Sequence, residues 1–333
     1  MISNSGKRIK TLELWAAKIR RNVVDICMQR GGYAGQGVAL ADVGACIFFD
    51  EMRSDGDGWY HDRFINSNGH DTIINFAAMV EMGIYSMEAL RTMGADGSTI
   101  DQSPIEGARG FEITSGSLGT GVSQAAGIAL GERMKGSDKR IICLLSDGEL
   151  HEGSVWEAFM FAAHYRLSNF VVIIDNNDLG ATGKTSDVMA VEPVRKKMEA
   201  FGFKARQING NSIPEILESF EEARSTKDQP YAMIADTKIF TGIKVYQDAI
   251  PFAHFVGANG RWATGFLKWE PGWNEIIGTI ERLENELAAL DSSVSPISCF
   301  QEKIPIEDSE SKTFGDYIFE STGFDNQSTI LSG

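Results

Sequence analysis

A strand–helix–strand pattern between positions 141 and 177 constrains the fold of this chain more than any other feature of its sequence. The apolar run Ile141–Leu145 predicts a buried strand, and the run Phe170–Asp175 (FVVIID) predicts a second one. Between them, apolar residues recur near helical spacing from Glu152 to Leu167. A strand, a helix and a strand in so short a span make a crossover connection, so we expect the two strands to be parallel.

Both predicted strands end in polar turns that suit a bound ion. Asp147 and Gly148 follow the first strand, and Asn177 follows the second. Because parallel strands place their carboxyl ends at one sheet edge, where such folds bind ligands, we expect Asp147 and Asn177 to meet. With the carbonyl of Leu179, their oxygens form a donor set for Mg²⁺ or Ca²⁺. Gly148 permits close backbone approach, and the next helix N-terminus attracts an anion. Together the turns predict a metal-bridged diphosphate site, although either turn alone is also typical of a plain loop.

These turns resemble a known cofactor motif. Asp147-Gly148-Glu149, followed at the right interval by Asn177, is similar to the thiamine diphosphate motif GDG…N, and the sequence around it resembles the transketolase family. The resemblance extends from about residue 10 to about residue 275. It implies an α/β fold with a doubly wound, mostly parallel sheet flanked by helices, which is the thiamine-diphosphate-binding fold of a diphosphate-binding domain. It also implies thiamine diphosphate and Mg²⁺ (or Ca²⁺) as cofactors.

The resemblance further implies which residues contact the cofactor. Gly69-His70 matches a glycine–histidine pair that contacts the diphosphate in the family, and the segment 114–121 (TSGSLGTG) matches one that packs on the aminopyrimidine ring. The implied cofactor-binding residues are His70, Gly116, Ser117, Leu118, Gly148, Glu149, Asn177 and His254, and the implied metal ligands are Asp147, Asn177 and Leu179. Glu152 resembles the residue that pairs with a glutamate from a second polypeptide.

Two positions on the substrate side depart from the family pattern. Tyr33 stands where the family has a channel histidine, Gln102 stands where it has a second one, and His254 matches a third. We assign these three residues and Glu152 to the catalytic set. A phenol with a pKa of about 10 cannot replace imidazole as a proton shuttle at neutral pH, so the departures predict a changed substrate or acceptor, or reduced activity. From the residues alone, a turn-capping role for His70 and a buried structural role for His254 remain open.

Composition limits the partners and the compartment. The chain has 333 residues and a net charge of −15, which argues against nucleic acid or an anionic membrane as its main partner. No apolar run approaches the ~18 residues of a membrane span, and the first ten residues lack the apolar core of a signal peptide, so a cytoplasmic location is expected. The four cysteines show no paired spacing, which predicts buried reduced thiols.

The order of elements predicts one large domain and a tail. Residues 1–290 are expected to form the diphosphate-binding domain, in which strands and helices continue to alternate up to a final helix at 270–290. Residues 291–333 are Ser-rich and acidic, which predicts a disordered or partner-binding tail. In the family a second, pyrimidine-binding domain supplies the glutamate that activates the cofactor, and too little chain remains here for a further domain of about 150 residues. We therefore expect a separate pyrimidine-domain subunit, in an α₂β₂ assembly.

The leading functional hypothesis is a transketolase-like transferase, active with a partner, which moves a two-carbon ketol unit from a ketose, often phosphorylated, to an aldehyde or another acceptor. Two alternatives remain open: a dehydrogenase-type protein that passes its two-carbon unit to a lipoyl or carrier-protein acceptor, and a non-catalytic cofactor-binding partner. A nicotinamide enzyme is disfavoured, because Gly119 and Gly121 are followed by Gln124 where the third glycine of a dinucleotide loop is required. The resemblance of 183–185 to a nucleotide phosphate loop fails at Asp178.

Overall fold

A parallel β-sheet forms the centre of the computed structural model, which describes residues 4–54, 60–98, 100–103, 105–249, 254–262 and 265–290. Its strands are β1 (Arg63–Asn66), β2 (Ile141–Ser146), β3 (Phe170–Asn176), β4 (Lys204–Asn209) and β5 (Tyr231–Asp236). They are ordered β1-β2-β3-β5-β4, and every neighbouring pair is parallel. The predicted doubly wound, parallel α/β fold is therefore confirmed.

Helices connect and cover these strands. The α-helices are α1 (Asn4–Arg30), α2 (Ala34–Ala39), α3 (Ala41–Cys46), α4 (Thr72–Glu81), α5 (Met87–Leu90), α6 (Thr120–Met134), α7 (Gly153–His164), α8 (Thr185–Val188), α9 (Val194–Phe201), α10 (Ile213–Ser225), α11 (Lys244–Ala249) and α12 (Trp269–Leu290). A π-helical turn continues α3 at Ile47–Glu51, and 3₁₀ turns occupy Gly69–Asp71 and Asp147–His151. A short antiparallel pair, β6 (Arg261–Trp262) and β7 (Gly265–Phe266), precedes α12.

Alternate residues of the central strands point into two separate cores. Ile142 and Leu144 of β2 join the larger core, which contains residues of α1 and α4. Ile141 and Cys143 join the other core, which α6 and α7 cover. Because both faces of the strands are buried, their sequences are continuous apolar runs and show no polar alternation.

The predicted crossover is present, and its register brings its two polar turns together. Ser146 at the end of β2 pairs with Asp175 near the end of β3. Within the glycine-rich segment 31–37, helix α2 begins at Ala34. A Cβ atom on Gly37 would lie 2.8 Å from the Ile73 side chain, so glycine here allows α2 to pack against α4.

Two further predictions concern thiols and membranes. Cys27, Cys46 and Cys143 are free and buried, as predicted, while Cys299 and the predicted tail at 291–333 lie outside the described residues. Burial raises the pKa of the Cys27 thiol, which keeps it protonated and unreactive. Within the described ranges, no helix combines the length and apolar character that a bilayer crossing requires.

Candidate functional site

A cavity of about 190 Å³ lies at the carboxyl edge of the sheet. The turns that follow β1, β2 and β3 all reach it, and α2 and the segment around residue 254 close its other side. The lining residues that carry polar chemistry include Gln36, Asn68, His70, Ser146, His151, Asn177, Thr185 and His254, and Leu118 adds an apolar wall. The site is thus built where the sheet topology predicts a ligand.

Asp147 has the environment of a metal ligand. Its side chain is 1 % exposed, and its Oδ2 accepts hydrogen bonds from the Asp178 N–H at 2.8 Å and the Thr185 hydroxyl at 3.1 Å. Its Oδ1 is buried and has no hydrogen-bond partner among the described residues. Burial raises the pKa of this carboxyl to about 6. A buried carboxylate oxygen without a donor is costly, and a cation would satisfy it.

Asn177 is held beside Asp147 by its own hydrogen bonds. Its Nδ2 donates to Oδ2 of Asp175 at 2.6 Å, and its Oδ1 accepts from the Leu179 N–H at 2.8 Å. Asp175 is fully buried and also accepts from the Thr237 hydroxyl at 2.5 Å, while burial raises its pKa to about 7. These contacts fix the orientation of the Asn177 amide, so its oxygen carries a free lone pair in a defined direction.

The oxygen donors of the turns that contain Asp147 and Asn177 fit a hard divalent cation. Asp147 Oδ1, Asn177 Oδ1 and the Leu179 carbonyl are oxygen donors, and one of them carries charge. Three protein oxygens leave the remaining coordination positions of Mg²⁺ or Ca²⁺ for water or phosphate oxygens. Asp147 and Asn177 belong to turns in direct contact, as the bond from Asp178 to Asp147 shows. The residues present therefore fit the metal that the sequence predicts.

Both carboxylate oxygens of Glu149 accept hydrogen bonds from protein groups. Its side chain is fully buried, and its Oε1 accepts from the Ser67 hydroxyl at 2.6 Å and the Gly119 N–H at 2.9 Å. Its Oε2 accepts from the Ser146 N–H at 3.0 Å. Both oxygens already serve protein donors, and the cofactor contact of Glu149 stays a prediction. Glu149 ties the ends of β1 and β2 to the start of α6.

His70 is oriented by the asparagine two residues before it. Asn68 Oδ1 accepts from the His70 backbone N–H at 2.9 Å and from the ring Nδ1–H at 2.5 Å. Asn68 Nδ2 donates to Oδ2 of the buried Asp71 at 2.8 Å, which fixes which way the amide faces. Burial lowers the pKa of the His70 imidazole, so the ring is neutral at neutral pH. It lies on a 3₁₀ turn that leads directly into α4.

Tyr33 forms the centre of an aromatic wall with His70, His254 and Phe255. Its ring centroid lies 4.4 Å from that of His70, 5.1 Å from that of His254 and 5.4 Å from that of Phe255, each in an edge-on arrangement. Burial raises the pKa of the Tyr33 phenol above its ordinary value. The hydroxyl therefore stays protonated at neutral pH, and Tyr33 cannot shuttle protons there as a histidine would.

The other predicted site residues lie on the rim or outside the cavity. Gly116, Ser117 and Glu152 are exposed to solvent, and Leu118 is half-buried. Gly119 has φ of +81°, and a Cβ atom there would meet the Glu152 side chain at 2.8 Å, so only glycine fits this turn. Gln102 is half-buried and does not line the cavity within the described part of the chain.

Gln36 and His151 are among the cavity residues that sequence reasoning missed. Gln36 is 3 % exposed on α2, and its Nε2 lies 2.7 Å from Nδ1 of His254. His151 lines the cavity as well, and its Nε2 contacts the Met189 carbonyl at 2.8 Å, which joins the loop after β3 to the turn after β2. A glutamine inside a glycine-rich run, where a small residue would suffice, is the signal that could have identified Gln36.

A larger cavity of about 410 Å³ lies between α1 and α12. Four of its charged lining residues have ion-pair partners: Arg20 pairs with Asp42, and Lys10 and Arg282 both pair with Glu286 outside the lining. Its described lining residues therefore lack the unsatisfied polar atom that marks the cavity at the sheet edge.

The fold and the position of the cavity define a doubly wound α/β protein with a ligand site at the carboxyl ends of its strands. Residues 12–254 match the family described as "Transketolase, thiamine diphosphate binding domain". The chain belongs to the transketolase family.

Individual relatives show how much of a transketolase this chain contains. It is 38 % identical to the transketolase family protein y4mO of Sinorhizobium fredii, over 80 % of this chain and 94 % of that protein. It is 31 % identical to one of the named subunits of the apulose-4-phosphate transketolase of Phocaeicola vulgatus, over 84 % of this chain and 98 % of that polypeptide. Its structure is similar to transketolase from Leishmania mexicana, with a TM-score of 0.66 and 25 % identity, over 84 % of this chain but 46 % of that one. The chain thus spans about half the length of that solved transketolase.

Proposed function

We propose that this chain is the diphosphate-binding half of a split transketolase-like enzyme. With thiamine diphosphate and Mg²⁺, the enzyme transfers a two-carbon ketol unit from a ketose or ketose phosphate to an aldehyde or another acceptor. The observation that carries the proposal is the buried Oδ1 of Asp147, which has no partner among the described residues and lies beside Asn177 at the sheet edge of a chain from this family. An acidic chain with this arrangement would bind an anionic diphosphate through the cation and through local dipoles.

The residues of the site divide into a metal side and a substrate side. Asp147, Asn177 and the Leu179 carbonyl would hold Mg²⁺, while Gly148, His70 and His254 would face the diphosphate, and the segment 116–118 would pack on the pyrimidine ring. When bound, thiamine diphosphate supplies the nucleophilic carbon that takes up the two-carbon unit. The neutral rings of His70 and His254 hold or accept protons at the substrate, and Tyr33 narrows the channel and excludes water.

We propose further that a second polypeptide, carrying the pyrimidine-binding half, completes the site in an α₂β₂ assembly. The exposed positions Gly116, Ser117 and Glu152 lie together around Gly119 and leave that side of the site uncovered. The match over 98 % of a relative that is itself named as one subunit of a transketolase supports this division. In this proposal residues 1–290 form the cofactor-binding domain and residues 291–333 a separate acidic tail. A cytoplasmic location is supported by free thiols at Cys27, Cys46 and Cys143.

Reconstitution tests the proposed function. The purified chain alone is expected to show ketol transfer lower by about 10²–10⁴-fold than the chain mixed with its pyrimidine-domain partner, because the partner supplies the acid–base glutamate. Product analysis after incubation with ketose phosphates, including the apulose 4-phosphate for which the Phocaeicola relative is named, and with aldose acceptors would measure the transfer.

Three outcomes of this assay would decide against parts of the proposal. Full activity of the chain alone would refute the split. Transfer to a lipoyl acceptor but to no aldehyde would favour the dehydrogenase-type alternative. Cofactor binding without turnover on any substrate, with the partner intact, would favour the non-catalytic alternative.

Exchange of Tyr33 for histidine tests its role in substrate choice. We expect Tyr33→His to raise kcat/KM for ordinary ketose phosphates by about tenfold, since an imidazole titrates near neutral pH and the phenol does not. Steady-state kinetics of the assembled enzyme with a panel of ketose phosphates would measure this. Tyr33→Phe is the matched control, because it keeps the ring packing on His70 and His254 and removes the hydroxyl alone. An unchanged substrate profile in Tyr33→His would show that position 33 does not select the donor.

A further inference from the structure

Two of the histidines that line the cavity, His70 and His254, are each bonded through Nδ1 to an amide side chain, but in opposite senses. The ring centroids of His70 and His254 lie 5.0 Å apart, and both rings line the cavity. His70 is bonded to Asn68, and His254 is bonded to Gln36. The atom that each amide presents decides which ring nitrogen carries the proton, because a neutral imidazole has one donor and one acceptor nitrogen.

Asn68 presents its oxygen. Its Oδ1 accepts from both the His70 backbone N–H and the ring Nδ1–H, while its Nδ2 donates to Oδ2 of Asp71. The reversed amide would set its NH₂ group against the backbone N–H. His70 is therefore the Nδ1–H tautomer, and its Nε2 carries a lone pair.

Gln36 presents its nitrogen. Its Nε2 lies 2.7 Å from Nδ1 of His254, and its buried Oε1 has no partner among the described residues. Reversing this amide would satisfy the oxygen but would leave two buried N–H donors unpaired, and unpaired buried donors are rarer in folded proteins than underused carbonyl oxygens. The amide nitrogen can only donate, so Nδ1 of His254 accepts and the ring proton lies on Nε2.

We propose that Gln36 is a positioning residue that holds neutral His254 as the Nε2–H tautomer, opposite to the tautomer that Asn68 imposes on His70. Two uncharged rings then offer the cavity one hydrogen-bond donor, Nε2–H of His254, and one acceptor, Nε2 of His70. The packing of α2 against α4 at Gly37, directly after Gln36, fixes where the amide can reach.

Local electrostatics agree with this arrangement. Burial, together with repulsion from His70, lowers the pKa of His254 to about 4. His254 can therefore donate at neutral pH only through the proton that its tautomer places on Nε2. Its role in turnover rests on the proposed ketol transfer, whereas its tautomer is a property of the chain itself.

Nitrogen NMR of the full chain tests the tautomer without any cofactor or substrate. Long-range ¹H–¹⁵N spectra distinguish protonated from unprotonated ring nitrogens, and the five histidines can be assigned with His254→Gln and His70→Gln. We expect Nε2–H for His254 and Nδ1–H for His70. Gln36→Glu replaces the donor by an acceptor and is expected to move the His254 proton to Nδ1, while Gln36→Met keeps the length and is expected to give a mixture.

Kinetics of the enzyme assembled with its partner supply the second readout. Reversing the tautomer of a catalytic histidine costs up to about 10⁴-fold in kcat in serine proteases. We expect about 100-fold lower kcat in Gln36→Glu and about tenfold in Gln36→Met, with donor KM within about threefold. Gln29→Glu, an exposed position on α1, is the charge-matched control and is expected to leave tautomer and kcat unchanged.

The two readouts separate the possible failures. Nδ1–H on His254 in the unmodified chain, or an unchanged tautomer in folded Gln36→Glu, would overturn the proposal. An altered His254 tautomer with an unchanged kcat would show that the tautomer does not affect turnover. Absence of turnover in every sample, with the expected tautomers present, would count against the proposed function and leave the assignment to Gln36 standing.

Discussion

Replacing Asp147 by asparagine is expected to weaken thiamine diphosphate binding in Mg²⁺ by at least ~100-fold, or about 2.7 kcal/mol. Asp147 supplies the charged oxygen of the proposed metal set, and its buried Oδ1 has no donor among the described residues. Asparagine keeps the shape and can still accept from Asp178 and Thr185, so the loop should stay in place. Calorimetric titration of thiamine diphosphate at saturating Mg²⁺, with the chain alone and with its partner, would measure the change.

A matched control exists in the segment after β3 that contacts Asp147. Asp187 is exposed on α8, so Asp187→Asn removes an equal charge nearby without touching the proposed metal position. We expect its cofactor affinity to stay within about twofold of the unmodified chain, as for most surface substitutions. Equal binding by Asp147→Asn and Asp187→Asn would rule out Asp147 as the metal ligand.

The same Asp147→Asn variant should make the cofactor-free chain more stable at high pH. In the folded chain burial raises the pKa of Asp147 to about 6, above the value of about 3.9 in unfolded chains. Its protonation therefore favours folding below pH ~4, and this contribution is lost as the pH rises through 6. Relative to the unmodified chain, the variant should gain up to about 3 kcal/mol at pH 8 and almost nothing at pH 4. Urea unfolding without Mg²⁺ at both pH values would show it.

Truncating Glu149 to alanine is expected to destabilise the chain by about 4 kcal/mol. The change leaves the Ser67 hydroxyl and the N–H groups of Gly119 and Ser146 without their acceptor in a fully buried place, and each such group costs about 1–3 kcal/mol. Equilibrium urea unfolding followed by circular dichroism would measure the loss.

Two comparisons sharpen the Glu149 test. Glu149→Gln retains one acceptor oxygen and should lose about half as much. Glu152→Ala removes an exposed carboxylate three positions further on and should change stability by less than about 0.5 kcal/mol. If Glu149→Ala were no less stable than Glu152→Ala, the three hydrogen bonds would not contribute to folding as argued.

The fold and the meeting of the turns that contain Asp147 and Asn177 were predictable because their signals are local and repeated. Continuous apolar runs at β2 and β3 identify two-sided strands, and strand direction alone brings Asp147 and Asn177 to one edge. β1 was not predicted, because four residues with an arginine at one end and an asparagine at the other carry no clear period.

The parts that sequence reasoning missed depend on side-chain orientation. Glu149 sits within a cofactor motif, yet its carboxylate points to Ser67 and Gly119, and no spacing rule reveals that direction. Gln36 and His254 are far apart in the chain, and their contact depends on the packing of α2 against α4. Position in a motif thus predicted which segments form the site, while hydrogen-bond geometry decided what each side chain does there.

The contrast between Glu149 and Tyr33 has a consequence for how the enzyme can diversify. Glu149 cross-links three chain segments on the cofactor side, whereas Tyr33 touches its neighbours on the other side through ring edges. Residues of the aromatic wall can therefore be exchanged without loosening the cross-linked half. Selection or engineering for new sugars should accumulate changes at positions such as 33, while the anchor around Glu149 stays constant.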